Sequence, residues 1–468
     1  MDTKKIEKKI FEDPTLSKLS NLAKDMNVPL FLVGGYIRDL FLGTHRPGHK
    51  AGRDYDFTLP KDASPFISMM ENALGLRFFK VGKEEMGKTT FRITSENVLM
   101  DITFFQGRTI EEDLQRRDFT INAVAFSLLD EKFSWVEGAP EDIGKKVIRA
   151  VTNCSIDQDP LRMLRAIRYL CTLEGFTLDG ALREEISLKK QQINHLPGER
   201  IKMELDQILL SPRPEVGMKS LYELGLLLTL FPELKGLENL GQNGHHHLQV
   251  LSHILLMIEK ISWASEWVGM NQRKAQFTQE DWLSLFYAAL FHDMGKQDTF
   301  SKDQKERVHF YHHESHSCQR AEHIMERLRF SNPMGKKILR LIQNHMRILN
   351  LSEETKETAL KRLVNQVGDD IPLLVLHTLA DKEASRGILS IQVDKAVEDR
   401  CLRILELFNE KEIVHPSPFI TGQDVIALGY RPGPRVGQIL NFIRQKQVEG
   451  EIKNREEALA VLKEKFGV

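Results

Sequence analysis

"GRDYDFT", residues 52–58, places Asp54 and Asp56 one residue apart in a run typical of a β-strand. Side chains alternate along a strand, so both carboxylates point to one face while Tyr55 and Phe57 point to the other. Two carboxylates so close repel each other unless a cation lies between them. The pattern therefore predicts either a solvated strand face or a site for divalent metal ions. Oxygen ligands suit Mg²⁺, and two such ions can clamp the oxygens of a phosphoryl transfer.

The flanking residues favour the metal site. In "FLVGGYIRDLFL", Gly34 and Gly35 end a predicted strand and open a predicted helix, where backbone N–H groups and the helix dipole can meet a triphosphate. A Gly-Gly pair by itself is also typical of a tight turn. Asp101 in "VLMDITFF", on a neighbouring predicted strand, is a candidate third metal ligand. A phosphate cradle followed by a D-x-D pair indicates a nucleotidyltransferase site.

The distribution of periodic segments predicts an α+β fold in four parts. Strand-like runs and two helical segments alternate up to about residue 150, which predicts a mixed head domain. Beyond it, apolar residues recur at helical spacing and Gly and Pro separate the segments. We expect a helical neck over 151–240, a helical body over 241–395 and a helical tail over 396–468.

Composition excludes several classes of protein. The chain has 468 residues, 41% hydrophobic and 28% charged, without an apolar run near the ~18 residues that cross a bilayer. Its charged N-terminus is unlike a secretory signal, which favours the cytoplasm and no membrane. Four scattered cysteines fit neither a disulfide framework nor a zinc ribbon. With a net charge of −1, contacts to nucleic acid must come from local basic clusters.

Four sequence blocks carry a resemblance to a known family. "LVGGYIRD", "RDYDFT", "EEDLQRRDFTINAVAF" and "DPLRMLRAIRYL", in this order, resemble the class II CCA-adding tRNA nucleotidyltransferases and bacterial poly(A) polymerases. The resemblance implies a polymerase-β-like head in which Asp54 and Asp56 hold catalytic Mg²⁺. It also implies template-independent addition of CMP and AMP, from CTP and ATP, to a tRNA 3′ end. Full CCA addition, CC-only addition and poly(A) synthesis remain open.

The same resemblance implies a set of nucleotide-binding residues. Asp118 and Asn122 are expected near the sugar, and Asp159 and Arg162 are expected to read the base. Placed three residues apart, Asp159 and Arg162 are predicted on one helical face, where a carboxylate accepts from the exocyclic amine of C or A and a guanidinium donates to the ring acceptor. An aspartate capping a helix is the alternative. The full set is Gly34, Gly35, Arg38, Arg117, Asp118, Asn122, Asp159, Arg162, Arg165 and Arg168.

The chain departs from the family pattern at two places. Gln158 stands where relatives usually have Glu, which weakens the expected support of Arg162. Only residues 106–110 separate "DITFF" from "EEDLQRRD", where CCA-adding relatives carry a longer flexible loop. In the family, absence of that loop accompanies enzymes that add C without switching to A. Because a pocket that changes base needs a mobile element, CC-only addition is a serious option.

A second candidate metal centre lies in the predicted body. Five blocks, "VLSHILL", "LFHDMGK", "YHHESH", "IQNHM" and "HTLADKEASRG", resemble the HD phosphohydrolase domain. Mixed imidazole and carboxylate ligands suit Mn, Ni, Fe, Mg or Zn, and such an ion activates water for phosphoester hydrolysis. The implied ligands are His253, His292, Asp293, His313, His345 and Asp381. A hydrolase acting on terminal or 2′,3′-cyclic phosphates of RNA and a non-catalytic RNA-binding module are therefore alternative functions; His245, His246, His247, His312 and His316 are interpreted as loop or surface residues.

The tail carries one candidate RNA contact. In "RPGPRVGQIL", glycines and Arg435 stand at a predicted helix start, where a backbone phosphate could bind. From Arg431 to Val468 there are eight Lys or Arg against five Asp or Glu, a surplus of 8 − 5 = +3. An ordinary capped helix on a solvated face is an equal alternative.

Overall fold

The computed structural model describes residues 3–44, 53–81, 89–94, 98–241, 249–271, 276–352, 354–385 and 391–467. These residues form two compact units, 1–196 with 224–226 and 197–223 with 227–468. The cut between 196 and 197 falls inside the predicted neck, and the four-part division stays a prediction. Of the helices in these ranges, none has the length and apolarity to cross a membrane.

The strands are concentrated in the head, as the sequence predicts. Their bounds are β1 Phe31–Val33, β2 Arg53–Leu59, β3 Phe79–Val81, β4 Thr90–Thr94, β5 Val98–Phe104, β6 Val124–Ser127, β7 Phe133–Trp135, β8 Val147–Ile148, β9 Thr177–Leu178, β10 Phe300–Lys302 and β11 Val308–Phe310. Seven of them form one sheet in the order β3-β4-β5-β2-β1-β6-β7. The pair β2 and β5 is parallel, and the other neighbours are antiparallel. The α+β fold class is confirmed.

Helices make up most of the remaining described chain. Their bounds are α1 Thr3–Glu12, α2 Pro14–Asp25, α3 Gly35–Leu42, α4 Phe66–Leu74, α5 Ile110–Leu114, α6 Ala139–Lys145, α7 Ser155–Gln158, α8 Arg162–Thr172, α9 Gly180–Lys189, α10 Gly198–Leu209, α11 Pro214–Glu223, α12 Leu226–Leu230, α13 Val250–Asn271, α14 Gln279–Phe291, α15 Lys296–Thr299, α16 His313–Arg327, α17 Asn332–Leu349, α18 Glu357–Val367, α19 Ile371–Ala384, α20 Ile391–Phe408, α21 Lys411–Val414, α22 Gly422–Ile426, α23 Pro434–Val448 and α24 Arg455–Phe466. Short 3₁₀ turns occupy Lys61–Ala63, Thr120–Asn122, Lys190–His195, Pro232–Leu237 and Gly368–Asp370.

Strand β2 has the alternation expected of a half-buried strand. Tyr55 and Phe57 are buried, Asp54 is exposed and Asp56 is half-buried. The buried face is fixed by Asp13, whose carboxylate accepts from two backbone N–H groups at the start of α2 and from the hydroxyl of Tyr55 at 2.8 Å. Because Tyr55 lies between the two aspartates, this hydrogen bond anchors the buried face of the strand while the carboxylates lie on the opposite face.

The core of the second unit is built around α19. Nearly every residue from Ile371 to Ala384 is buried, as expected for a helix that is apolar on all sides and surrounded by others. Helices α13, α14 and α17 pack against it, and α14 begins with a capping box between Thr278 and Asp281. The residues of the tail have a small core of their own, formed by Ile420, Val425, Val436, Ile439, Ile443, Ile452, Ala458 and Leu462.

Candidate active site and candidate metal centre

Strand register sets the predicted carboxylates side by side. Asp56 of β2 lies directly opposite Asp101 of the parallel strand β5, and Asp101 lies opposite Arg92 of β4. Arg92 donates two hydrogen bonds to the Asp101 carboxylate, from Nε to Oδ1 at 2.7 Å and from Nη2 to Oδ2 at 2.6 Å. The sheet therefore presents a row of three carboxylates, of which one is already engaged by a cation. Sequence reasoning did not single out Arg92.

The charges of this row fit a divalent cation. Burial, and then the like charge of Asp54, raise the pKa of Asp56 to about 6. Partial burial and Asp101 also raise the pKa of Asp54. Two acidic groups whose ionised forms are both disfavoured gain most from a bound metal, which would keep them deprotonated. The donor set therefore suits Mg²⁺, with Asp54 and Asp56 as the residues that would hold it.

Gly34 forms a cradle next to these carboxylates. Its φ of +77° lies in the left-handed region that favours glycine, and a Cβ there would come within 3.3 Å of Asp56 Oδ2 and 3.5 Å of Arg117 Nη1. The helix α3 begins at the following residue, Gly35. The backbone N–H groups of this helix start, Asp56 and the Arg117 guanidinium thus converge at one place, an arrangement that can receive a metal-bound phosphate.

Arg38 and Asn122 are brought together beneath the cradle. Arg38 is buried, and its Nη1 donates to Asn122 Oδ1 at 2.9 Å while its Nε donates to Asp39 at 2.9 Å. Its guanidinium also lies 5.6 Å from the centre of the Tyr169 ring of α8. The structure thus places Arg38 where it supports the helix start, and its predicted contact with a nucleotide stays a prediction.

Asp118 forms an ion pair with helix α8 of the neck sequence. Its carboxylate lies 2.7 Å from Arg165 Nη2 of α8 and accepts from Asn122 Nδ2 at 3.1 Å. Although burial raises the pKa of Asp118, the charge of Arg165 and these hydrogen bonds bring it below its usual value. Asp118, Asn122 and Arg165 therefore form one ionised, ordered cluster. Arg168, one turn further along α8, lies against the Tyr169 ring at 4.7 Å.

The predicted base-reading pair needs a correction. Asp159 does not share a helical face with Arg162: it has an extended backbone, φ −153° and ψ 101°, and α8 begins only at Arg162. The reason is Pro160, because a residue that precedes proline is disfavoured in the α conformation. Oδ1 of Asp159 accepts from the backbone N–H of Leu161, the residue that caps α8, at 3.2 Å. The two side chains still flank one turn.

Arg162 is held by three acceptors. Its Nη1 donates to Ser155 Oγ at 2.7 Å and to Gln158 Oε1 at 3.4 Å, and its Nη2 donates to the backbone carbonyl of Arg116 at 2.7 Å. The amide of Gln158 is the longest and weakest of these contacts. With Gln in place of the usual Glu, residue 158 contributes little, and Ser155 and the carbonyl of Arg116 set the orientation of Arg162.

The short link after β5, residues 106–110, is tied down along its length. Gln106 N donates to Asp113 Oδ1 at 2.9 Å, and Arg108 N donates to Glu112 Oε2 at 2.7 Å. A Cβ on Gly107 would come within 2.5 Å of Glu112 Cβ, so the link and α5 are in close contact. A cavity of about 320 Å³ borders this link, and its lining includes Thr103, Gln106, Asp113, Arg116 and Arg117.

The six implied HD ligands form one buried cluster in the second unit. His253 Nε2 lies 2.9 Å from Asp381 Oδ1, and His292 Nε2 lies 3.2 Å from Asp293 Oδ2. His313 Nε2 lies 3.2 Å from Asp293 Oδ1 and 3.1 Å from His345 Nε2. Among the described residues, two sets of three have ligand atoms within 4.8 Å of one another: His253, His292 and Asp381, and His292, Asp293 and His345.

Three of the imidazoles are oriented by backbone carbonyls close to them in the chain. The Nδ1 atoms of His292, His313 and His345 lie 2.8, 2.9 and 2.7 Å from the backbone carbonyl three residues earlier in each case. A carbonyl can only accept, so each Nδ1 carries a proton and the Nε2 atom of each ring faces the cluster. Burial, and then the charges of His292 and His313, hold the pKa of His345 well below its usual value. This donor set could hold a divalent cation.

Two further residues border this cluster and were missed from the sequence. Lys296 Nζ lies 2.7 Å from Asp293 Oδ2. His377 is buried, its ring centre lies 5.1 Å from that of His292, and burial lowers its pKa to about 3. Its position one turn before Asp381 on α19 was the available signal, since residues four apart share a helical face.

The other predicted surface residues lie as follows. His312 and His316 are exposed, as interpreted, and residues 245–247 lie outside the described ranges. Arg435 is exposed in the first turn of α23, where its Nη1 donates to Gln438 at 3.1 Å. Its proposed contact with RNA stays a prediction.

The fold and the carboxylate row define a nucleotidyltransferase of the polymerase-like class. Three family models match this chain: the "Poly A polymerase head domain" over 30–149, the "Probable RNA and SrmB-binding site of polymerase A" over 175–237, and "tRNA nucleotidyltransferase domain 2" over 299–462. None of these descriptions refers to an HD domain.

Relatives extend the match over almost the whole chain. An A-adding tRNA nucleotidyltransferase of Deinococcus radiodurans is 30% identical, covering 92% of this chain and 94% of its own. A CC-adding tRNA nucleotidyltransferase of Thermus thermophilus is 32% identical, covering 92% of both chains. The protein belongs to the family of tRNA nucleotidyltransferases and bacterial poly(A) polymerases.

Solved structures share the fold. A CCA-adding enzyme in complex with CTP superposes with a TM-score of 0.66 at 19% identity, covering 100% of this chain and 99% of that one. The Thermotoga maritima CCA-adding enzyme in complex with tRNA gives a TM-score of 0.59 at 21% identity, covering 98% and 97%. The predicted architecture, a polymerase-like head followed by helices, is thereby confirmed.

Proposed function

We propose that this protein is a tRNA 3′-end nucleotidyltransferase that adds CMP from CTP and stops at CC. The carboxylate row of Asp54, Asp56 and Asp101 beside the Gly34 cradle is the observation that carries the transferase reaction. The relatives from Deinococcus radiodurans and Thermus thermophilus, named as A-adding and CC-adding enzymes, support a tRNA 3′ end as the acceptor.

The residues of the head suit in-line attack of a 3′-hydroxyl on the α-phosphate with pyrophosphate leaving. Mg²⁺ bound to Asp54 and Asp56 would orient the triphosphate and lower the pKa of the attacking hydroxyl. The start of α3 and Arg117 would receive phosphate charge at the cradle. Arg92 fixes Asp101 and neutralises part of the negative row, so the site keeps enough negative charge for the ions without a third free carboxylate.

The short link, residues 106–110, favours the CC-only product over full CCA addition. Selecting A after C requires a base pocket that changes shape, and a mobile element supplies such a change. Here the link is fixed by two hydrogen bonds to α5 and by the close approach of Gly107 to Glu112. Arg162, which we propose as a base contact, is likewise held rigidly through the carbonyl of Arg116.

The test is to supply the purified protein with Mg²⁺, CTP, ATP and a tRNA transcript that lacks CCA, and to sequence the 3′ termini. We expect ends that stop at CC. Ends that complete CCA would refute the role of the link while leaving the transferase assignment standing. Runs of A on unrelated RNAs would move the protein to the poly(A) polymerases, and no extension of any RNA would refute the assignment altogether.

We further propose that the second unit is a metal-dependent phosphohydrolase of the HD type. The convergence of Nε2 atoms on Asp293 and Asp381 favours it: the Nε2 atoms of His313 and His345 lie 3.1 Å apart with Asp293 Oδ1 3.2 Å from His313 Nε2, an arrangement in which a bound cation could take all three as ligands. A divalent ion of the Mn, Ni, Fe, Mg or Zn group would there supply an activated water. Lys296, beside Asp293, could stabilise phosphate charge. Hydrolysis of 2′,3′-cyclic AMP by metal-loaded protein, lost in the variant His292→Ala plus Asp293→Ala, is the test.

A further inference from the structure

A β-hairpin lies in the chain between the HD residues. Strands β10 and β11, residues 300–310, follow α15 directly and lead into α16, which begins with His313. The hairpin therefore connects the segment 293–299, which includes Asp293 and Lys296, to a ligand on the next helix. It was not predicted from the sequence, and no activity considered above uses it.

The hairpin ends in an aromatic pair, of which Tyr311 is exposed and His309 is half-buried. The rings of His309 and Tyr311 are stacked with centres 5.1 Å apart and an interplanar angle of 9°. Tyr311 is 67% exposed, far more than an aromatic residue that completes a core. Two flat rings stacked in parallel at the surface leave an outer π-face on which a further flat ring can stack.

This pair rests on a rigid turn. The Asp303 carboxylate accepts from the backbone N–H groups of Lys305 and Arg307, at 2.8 and 3.0 Å, and from Arg307 Nε at 2.7 Å. The same carboxylate lies 3.3 Å from His309 Nε2 and so fixes the plane of that ring. A platform whose rings are already ordered loses little entropy when a ligand binds.

The stacked pair of His309 and Tyr311, here called the platform, lies close in the chain to the cluster of proposed HD ligands. Between exposed Tyr311 and buried His313 stands His312, whose φ of +62° is uncommon for a residue with a side chain. Phe310, which lies between His309 and Tyr311 in the chain, offers its carbonyl to His313 Nδ1 at 2.9 Å, and its ring lies 5.4 Å from Lys296 Nζ. Since two residues of chain span at most about 7 Å, the platform stands within reach of one nucleotide from the cluster.

We propose that His309 and Tyr311 form a stacking subsite for a nucleobase whose own phosphate lies at the HD cluster. This inference rests on the HD function proposed above and deepens it, because it defines the substrate class as nucleoside phosphates or RNA ends, with the base adjacent to the reacting phosphate. Stacking on aromatic rings accepts any base, so the subsite selects for the presence of a base and not for its identity.

The experiment measures binding of 3′-AMP and of ribose 5-phosphate to the full chain loaded with Mn²⁺, by calorimetry. The Asp54→Asn plus Asp56→Asn background removes metal from the head, so the signal reports the second unit. We expect Tyr311→Ala to weaken 3′-AMP about tenfold and to leave ribose 5-phosphate unchanged. Tyr311→Phe, which keeps the ring, should restore binding, and Tyr222→Ala, which removes a surface tyrosine of α11, serves as the matched control.

The two proposals can fail separately. Hydrolysis of bis(4-nitrophenyl) phosphate, a substrate without a base, reports the HD function through its loss in His292→Ala plus Asp293→Ala. If that activity exists but Tyr311→Ala binds 3′-AMP as the parent does, the stacking subsite is refuted alone. If the activity is absent while 3′-AMP binding depends on Tyr311, the subsite stands as a nucleotide site and the hydrolase is refuted. If 3′-AMP binding is unchanged both by Tyr311→Ala and by His292→Ala plus Asp293→Ala, both proposals are refuted.

Discussion

The head builds its acidic site on β-strands, whereas the second unit builds its site on helices. In the head, Asp54, Asp56 and Asp101 project from neighbouring strands, and Asp54 is open to solvent. In the second unit, His253 lies on α13, His292 directly follows α14 and Asp381 lies on α19, and all three are buried. A strand row leaves ligand positions free for a nucleotide to fill. A helical cluster whose imidazoles are locked to their own backbone closes most positions with protein atoms. The difference predicts that the head takes up its proposed ions together with substrate, whereas the second unit holds its proposed ion without substrate.

The largest expected effect separates the two regions by activity. Asp54→Ala should lower CMP incorporation at least about 100-fold, because misplacing the triphosphate by even 1 Å costs that much. Neither His292→Ala plus Asp293→Ala nor Asp62→Ala, a nearby exposed carboxylate, should change the rate of incorporation by more than about twofold. Primer extension with labelled CTP measures all three. Undiminished incorporation by Asp54→Ala would place the reaction elsewhere.

The second prediction concerns retention of the ion. Chelation of the purified protein should lower the thermal midpoint of the second unit by about 5 °C, since an ion at 100 times its dissociation constant contributes about 2.7 kcal/mol. Calorimetry before and after treatment with EDTA measures the shift. The His292→Ala plus Asp293→Ala variant should show no such shift, whereas His323→Ala, an exposed histidine of α16, should behave as the parent. A shift that persists in the double variant would assign the retained ion to another site.

A glycine comparison tests how firmly the short link is held. Gly107→Ala would force a Cβ to within 2.5 Å of Glu112 and should destabilise the head by about 1–3 kcal/mol. The same change at Gly437, a helical position of α23 with open space around it, should stabilise by about 0.5–1 kcal/mol. Urea unfolding of both variants measures whether each change lowers or raises the free energy of unfolding. Equal effects would mean that the link accommodates a side chain and is not rigid.

Local patterns predicted the head well because its key features are local. Alternation alone places Asp54 and Asp56 on one face with Tyr55 behind them, and the structure agrees. The grip of Arg92 on Asp101 depends on which strand pairs with which, and in what register. The residue pattern of a single strand does not specify its partner strand or its register, so the contact between Arg92 and Asp101 could not be predicted.

The errors and omissions have particular causes. The helical placement of Asp159 was wrong although the signal, the following Pro160, was present in the sequence. His377 was passed over because a lone histidine in an apolar helix is typical of a core, and only the arrangement of α14, α17 and α19 brings it beside His292. The turn of the β10–β11 hairpin depends on Asp303, whose several acceptor contacts have no sequence signature beyond a polar loop.

The smallest expected effect is at Gln158, the departure from the family pattern. Gln158→Glu restores the usual carboxylate, yet Arg162 already has acceptors at 2.7 Å in Ser155 Oγ and the carbonyl of Arg116, against 3.4 Å for the Gln158 amide. A partly exposed ion pair contributes about 0.2–1 kcal/mol, so kcat/KM for CTP should rise by less than about fivefold. Ser155→Ala removes a shorter bond and should lower kcat/KM by more than Gln158→Glu raises it. If the order of the two effects is reversed, Arg162 is oriented by residue 158 after all, and the head is less rigid than its hydrogen bonds indicate.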